Sequence, residues 1–395
     1  MKKKILFVID SLGSGGAEKS LISLLTLFDY SKYDVDLLLF SKQGLYFSLV
    51  PKEVNIIEVP QFLNNQRKSI NTLIKEKNFK DLYIKLRKYI DLRNSKLNNK
   101  FHSAQLIWKW SSKNIESIKK DYDVAIAYSQ GFPTYYIANK VNANKKIAWI
   151  NTDYKKAKYN KEFDIYYYNK FNNIVAVSDY CKKSILEIMP EVKGKLKVIY
   201  DIISPRLINE MANEKGGFAD DFDGIRILTI GRLVELKGYD MAIEAADMLK
   251  KSGVKFRWYS LGEGELKEEL ENKVKKFGLG KDFIFLGVTK NPYTYLKQCD
   301  IYVQPSRFEG FGLAIAEAKI LSKPIVATNF TMVYNQINNE KNGIIVNMNS
   351  NSIFLGIEKL LKNKILFENV IENLKFVNGG TEKEIFSVYS MLDYI

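Results

Sequence analysis

Short, nearly unbroken apolar runs alternate along most of the chain with longer stretches in which apolar residues recur every three or four positions. The runs KILFVID (4–10), VDLLLF (35–40), VNIIEV (54–59), VAIAYS (124–129), KIAWI (146–150) and NIVAVS (173–178) read as buried strands. A second series follows: RILTIG (226–231), FRWYSL (256–261), FIFLGV (283–288), DIYVQP (300–305), KPIVATN (323–329) and GIIV (343–346). Helix patterns such as AEKSLISLLTLF (17–28) fall between them. Strands alternating with helices predict an α/β protein with open, doubly wound parallel sheets. Ligands of such sheets bind at the carboxyl ends of the strands.

The periodicity lapses over 200–224, YDIISPRLINEMANEKGGFADDFDG, where Pro205, the Gly216–Gly217 pair and an acidic run mark a linker. The expected organisation is a first Rossmann-like domain over 1–203, a linker over 204–224 and a second Rossmann-like domain over 225–380. A last helix pattern at 381–395, TEKEIFSVYSMLDYI, is expected to pack back on the first domain. At 395 residues the chain exceeds one ordinary core, which agrees with two domains.

An apolar share of 46% and a charged share of 27% are those of a soluble globular protein, and no apolar run reaches membrane-spanning length. The start, MKKKILFVID, is too short in its apolar part for a signal peptide and reads as the first strand. Two cysteines, Cys181 and Cys299, have neither metal nor redox spacing and point to a reducing compartment. The net charge of +15 is uneven. Residues 1–200 hold 35 basic and 19 acidic residues, and the remainder is near balance. The densest part is Lys75–Lys100, where leucines, isoleucines and tyrosines recur among lysines at near-helical spacing. That pattern suits an anionic membrane surface, with Lys75, Lys77, Lys80, Lys85, Arg87 and Lys88 as its cations. No nucleic-acid fold signature stands beside it, so specific nucleic-acid binding is not expected.

Three stretches carry candidate chemistry. The first is QPSRFEGFGLAIAEA (304–318), in which Glu309 opens the loop Gly310, Phe311, Gly312 and Glu317 sits in the apolar helix that Leu313 begins. A glycine turn at a helix N-terminus receives an anion. Two flanking acids suit hydroxyl groups, which carboxylates accept strongly. An anion with hydroxyls describes a sugar nucleotide. The second stretch is Gly231–Arg232 to Lys237–Gly238, two cations after a strand, placed to clamp a diphosphate. The third is SLGSGGAEKS (11–20), with Gly15, Gly16 and Glu18 after the first strand. A glycine turn Gly262–Glu263–Gly264 also follows a strand. Three Asp-x-Asp triplets (Asp34/Asp36, Asp121/Asp123, Asp221/Asp223) lie at strand amino ends or in the linker, so no metal is implied. The one histidine, His102, reads as a surface residue.

Glu309 and Glu317, with seven residues between them, together with Gly231–Arg232…Lys237–Gly238 and Gly15–Gly16–x–Glu18, resemble glycosyltransferase family 4. The likeness is closest over about 225–345. It implies the GT-B fold, two Rossmann-like domains facing across a cleft, and retaining transfer from a nucleotide sugar without a metal or other cofactor. Glu317 would hold the nucleotide ribose, Glu309 the donor sugar, and Arg232 and Lys237 the leaving diphosphate. Gly15, Gly16, Asn151, Gly231, Gly262, Gly310, Phe311, Gly312 and Leu313 would line the donor site. A lipid-linked or polysaccharide acceptor and the inner face of the plasma membrane follow as partner and location. The chain departs from the family twice. Asn151 stands where a histidine is usual, and FTMVYNQI (330–337) replaces a Gly-Gly-x-x-Glu run. A nucleotide-sugar epimerase on the same fold and a non-catalytic nucleotide-sugar-binding scaffold are the alternative readings.

Overall fold

A computed structural model describes residues 2–13, 15–376 and 379–393. It divides the chain into two compact units, Met1–Asp201 with Lys383–Ile395, and Ile202–Glu382. The first unit has seven parallel strands: β1 (Lys3–Ile9), β2 (Tyr33–Leu39), β3 (Asn55–Ile56), β4 (Tyr122–Ala127), β5 (Ala143–Ile150), β6 (Asn173–Ala176) and β7 (Leu196–Val198). Their order is β3-β2-β1-β4-β5-β6-β7. Helices cover both faces of such a sheet, which is why its central strands are apolar throughout. Ile5 to Val8 of β1 are fully buried. The run VNIIEV pairs with β2 through Asn55 and Ile56, and Ile57 N donates to Leu37 O at 3.1 Å.

Between β3 and β4 stand five helices, Gln61–Arg67, Ile70–Lys75, Phe79–Arg93, Ser95–Lys100 and Ser103–Ser111. Two of their acids are buried anchors. Asp81 accepts from Asn65 Nδ2 (2.9 Å) and Asn78 Nδ2 (2.7 Å), and Asp91 from Trp110 Nε1 (2.7 Å). The expected basic surface needs correction here. Lys85 donates to the carbonyls of Gln66 and Lys68 at 3.1 and 2.6 Å. Lys88 lies over the Phe62 ring, and burial pushes its pKa down to about 8. Both hold helices together and are not surface charges. His102 is likewise a structural residue. Its Nδ1 accepts from Ala104 N at 3.2 Å, capping Ser103–Ser111, and its ring stacks on Tyr159 at 4.1 Å.

The helix Glu384–Asp393 belongs to this first unit. Tyr389 stacks on Tyr33 at 5.4 Å and its hydroxyl accepts from Asp29 N at 2.7 Å, while Lys3 pairs with Asp393. Tyr394 and Ile395, the end of the expected helix, lie outside the described residues. Four of the six Asp-x-Asp acids accept from protein donors. Asp36 accepts from Lys120, Tyr122 and Asn55, Asp121 from Asn142, Asp123 from Lys4 N, and Asp223 from Lys255. Among the described residues no group of His, Cys, Asp or Glu is placed to hold a metal ion.

The second unit has six parallel strands: β8 (Ile225–Ile230), β9 (Phe256–Leu261), β10 (Phe283–Gly287), β11 (Ile301–Gln304), β12 (Ile325–Thr328) and β13 (Ile344–Val346). Their order is β10-β9-β8-β11-β12-β13. The stretch read as a linker over 204–224 is part of this unit. Pro205 does not break structure but starts the helix Pro205–Ala212, which Ser204 caps by accepting from Leu207 N. That helix packs through Ile208 and Ala212 on Tyr293 and Ala316. Beyond it, Asp220 accepts from Arg226, Arg257 and Tyr259, and Phe218 packs on Tyr259, so the acidic run is strapped to β8 and β9.

Candidate functional site

In the second unit the strand order reverses between β8 and β11. The loops that leave these strands, 231–238 and 305–312, therefore part at the point where doubly wound sheets bind ligands. They are fastened to each other by backbone. Gly238 sits at φ +66, and a Cβ there would lie 2.0 Å from Pro305 O. Arg307 N donates to Leu236 O at 2.8 Å, and the Arg307 guanidinium grips Asp240 with both arms. The loop after β9 closes on the same place. A Cβ on Gly262 would lie 1.9 Å from Gly231 O, and Leu233 N donates to Glu263 O at 3.0 Å.

This packing brings Lys237 onto Glu309. The Lys237 Nζ donates to Glu309 Oε1 at 2.6 Å and to Oε2 at 2.7 Å. Both side chains are largely buried, at 21% and 10% exposure, so removing either partner strands a charge away from water. Glu309 Oε1 also accepts from Gln304 Nε2 (2.8 Å) and Ser306 Oγ (2.6 Å). Gln304 in turn takes the Tyr302 hydroxyl, and Thr328 Oγ1 donates to Ser306 O. Glu309 is thus held rigidly, with its crowded oxygen turned to protein. Oε2 accepts only from Lys237 among the described residues and has capacity for a hydroxyl donor. The Lys237 stem passes over Gly231, whose Cβ would lie 3.4 Å from it. Arg232 is exposed on the same loop, and its guanidinium makes no ion pair among the described residues.

Gly310 and Phe311 continue the loop, and Gly312 caps the helix Leu313–Ile320. Glu317 is the fifth residue of that helix, one turn in, and only 2% exposed. Tyr293 OH donates to its Oε1 at 3.2 Å. The apolar neighbours on that helix foretell the burial, but not the tyrosine. Gln336, from the departing stretch 330–337, is a site residue that sequence reasoning missed. Its Nε2 donates to the carbonyls of Phe311 and Gly312 and so fixes the turn. No local signal marks it, because its partners lie 24 and 25 positions away.

The remaining predicted residues lie in the first unit. Gly15 is the N-cap of the helix Gly16–Thr26. A Cβ on it would lie 2.3 Å from Glu18 Oε2, so the glycine makes room for that carboxylate over its own helix N-terminus. Asn151 follows β5. Its Nδ2 donates to Tyr128 O at 2.7 Å and its backbone N to Gln130 Oε1 at 3.1 Å. With the amide nitrogen committed to a carbonyl, the side chain is set as an acceptor, and its Oδ1 has no hydrogen bond among the described residues.

The loop after Asn151 is held by a buried carboxylate. Asp164 accepts from Gln105 Nε2 and Tyr135 OH, both at 2.6 Å, and from Tyr154 OH. Burial pushes its pKa up to about 6 against the lowering effect of these donors. Its folded pKa lies above the unfolded value of 3.8, so the folded state holds the proton longer. The carboxylate therefore costs nothing below about pH 4, and the cost grows until about pH 6. Relative to Asp164→Asn, the wild-type protein should lose about 3 kcal/mol of stability between pH 4 and pH 7. Denaturant midpoints of the two proteins across this range check it. Parallel profiles would remove Asp164 as the cause.

Residues 214–376 match the family described as Glycosyl transferases group 1. The chain is 25% identical over 366 residues to the N-acetylgalactosamine-N,N'-diacetylbacillosaminyl-diphospho-undecaprenol 4-alpha-N-acetylgalactosaminyltransferase of Campylobacter jejuni, covering 91% of this chain and 90% of that protein. A 155-residue stretch is 30% identical to the poly(ribitol-phosphate) alpha-N-acetylglucosaminyltransferase of Staphylococcus aureus, covering 36% of this chain and 31% of that protein. Anabaena HepE in complex with UDP superposes with a TM-score of 0.67 over the whole of both chains at 16% identity. Staphylococcus aureus TarM, solved with UDP, gives 0.66 at 17% identity, covering 99% of this chain and 100% of that one. The fold is GT-B.

Proposed function

We propose that this chain, whose residues 214–376 match the group 1 glycosyl transferases, is a glycosyltransferase that transfers a hexose-type sugar with retention from a nucleotide donor to a lipid-linked or polysaccharide acceptor. The observation that carries the reading is the Lys237–Glu309 pair, which joins two switch-point loops around an anion-binding turn. As the sugar–phosphate bond breaks, negative charge grows on the departing diphosphate. The Lys237 ammonium and the Arg232 guanidinium stabilise that charge, a contribution of about 3 kcal/mol for one well-placed donor. Glu309, whose Oε2 accepts only from Lys237 among the described residues, accepts a hydroxyl of the donor sugar there. Glu317, oriented by Tyr293, accepts from the ribose. No metal is needed in this scheme, because protein cations take the charge. The diphospho-undecaprenol in the name of the Campylobacter relative supports a lipid-linked acceptor here, and with such an acceptor goes work at the cytoplasmic face of a membrane. That reading places the chain in glycosyltransferase family 4.

A thermal-shift panel of UDP-, GDP-, ADP- and TDP-sugars, each with and without EDTA, tests the donor assignment. One base should stabilise the protein by about 2.7 kcal/mol at a hundredfold excess over Kd, unaffected by EDTA and lost in Glu317→Ala. A shift that EDTA abolishes would contradict the metal-free scheme. No shift with any donor would count against the donor site itself.

A further inference from the structure

We propose that the helix Phe79–Arg93, with the preceding helix Ile70–Lys75, is a docking face that inserts its apolar stripe into an anionic lipid bilayer. Among the described residues eighteen large hydrophobic side chains are exposed, and seven of them fall within residues 70–90. They are not scattered, as single surface hydrophobics usually are. Phe79, Tyr83, Leu86 and Ile90 are 63, 58, 42 and 53% exposed. Their spacing of four, three and four residues puts them on one side of the helix. The opposite side is the one fixed to the protein, through Asp81, Ile84 and Asp91, all buried. Within this stripe Tyr83 packs edge-on against the Trp110 ring at 6.4 Å, while Phe79, Leu86 and Ile90 stay exposed on the outer side of the helix. Ile70 and Ile74, one turn apart on the shorter helix, are exposed in the same way, at 44 and 48%.

The charge around the stripe selects its occupant. Residues 61–113 contain 13 basic and 3 acidic residues; Lys85 and Lys88, like the acids Asp81 and Asp91, are engaged within the unit, which leaves 11 cations and the one acid Glu76. Lys80 and Arg87 flank the stripe on one side by helical position, and on the other the Arg93 guanidinium lies 4.1 Å over the Tyr89 ring. Cores of protein–protein interfaces are depleted in lysine and charge. A rim of cations around Phe, Leu, Ile and Tyr fits the headgroup region of an anionic bilayer, where cations meet phosphate and apolar side chains pass below it. The same insertion reaches the carboxyl edge of its sheet, since Gln105 Nε2 donates to Asn160 O at 3.0 Å in the loop that follows Asn151. The docking face extends the proposal of a lipid-linked acceptor and rests on it.

Flotation of the full-length protein with phosphatidylcholine–phosphatidylglycerol vesicles, and with pure phosphatidylcholine vesicles, tests this. The wild-type protein should float with the anionic vesicles and bind the neutral ones much less. The variant carrying Phe79→Ser, Leu86→Ser and Ile90→Ser should bind the anionic vesicles at least about tenfold more weakly at unchanged Tm. Both native cysteines are buried, so a Leu86→Cys protein takes an environment-sensitive fluorophore at one place. That probe should brighten and shift to the blue on anionic vesicles, and the same probe at Lys32→Cys should not. Undiminished binding of the triple variant, a silent probe at position 86, or a dimer that the triple variant dissociates would overturn the docking face. The nucleotide-sugar thermal shift separates the two readings. A donor response without vesicle binding sinks the docking face alone. Vesicle binding as described without any donor response supports the docking face and sinks the glycosyl-transfer reading.

Discussion

Lys237→Ala lowers turnover by about a hundred- to a thousandfold, the usual effect of removing one donor from developing transition-state charge. It also leaves Glu309 almost buried with its ion-pair partner gone, since Gln304 and Ser306 supply only neutral donors. That should cost about 2 kcal/mol of stability. The two effects separate in the double variant. Glu309→Gln removes the stranded charge while its oxygen still accepts from Gln304 and Ser306, so Lys237→Ala/Glu309→Gln should recover stability and remain inactive. Lys237→Arg should not restore full activity, because a planar guanidinium cannot take the place of a compact ammonium over Gly231. Denaturation midpoints and single-turnover rates on the four proteins check this. Stability that falls further in the double variant would show that the pair is not the source of the loss.

Gly262→Ala destabilises the second unit by about 3 kcal/mol, which corresponds to a Tm lower by roughly 10 °C. The added methyl would sit 1.9 Å from Gly231 O, a backbone atom that no rotamer change can move away. The site lies on the other side of the same contact. Displacing Gly231 shifts Arg232 and the stem of Lys237, so donor affinity should fall along with stability. Gly253→Ala is the control for a general effect of the substitution on glycine turns, since nothing lies within 4 Å of its Cβ. Thermal unfolding of both variants, read with and without the stabilising nucleotide, is the check. An unchanged Tm for Gly262→Ala would refute the close approach of these two loops.

The strands were legible because parallel strands covered on both faces are apolar at every position, as Ile5 to Val8 are. The candidate acids and cations were legible as residue types after strands. Their partners were not. Lys237 and Glu309 are 72 positions apart, and only the strand order that sets β8 beside β11 brings them together. Arg232 and Lys237 read as one clamp in sequence, yet in the structure one is exposed and the other is engaged by a carboxylate. Pro205 read as a breaker because its place in a helix depends on whether a cap precedes it, and Ser204 supplies one. Lys85 and Lys88 read as surface charges because helical period alone does not say which side of a helix meets the protein. The same ambiguity hid the outward turn of Phe79, Tyr83, Leu86 and Ile90. Gln336 had no signal at all, since it acts only through the carbonyls of Phe311 and Gly312.

Transfer itself is the most direct test. The nucleotide sugar that stabilises the protein, labelled in its sugar, is incubated with the enzyme and a membrane lipid extract, and label is followed into the lipid fraction. The account predicts label in lipid with the wild-type protein, an anomeric configuration unchanged from the donor, and transfer lowered at least a hundredfold in Lys237→Ala. Label that stays on the donor, or that moves as fast with Lys237→Ala as with the wild type, would contradict it.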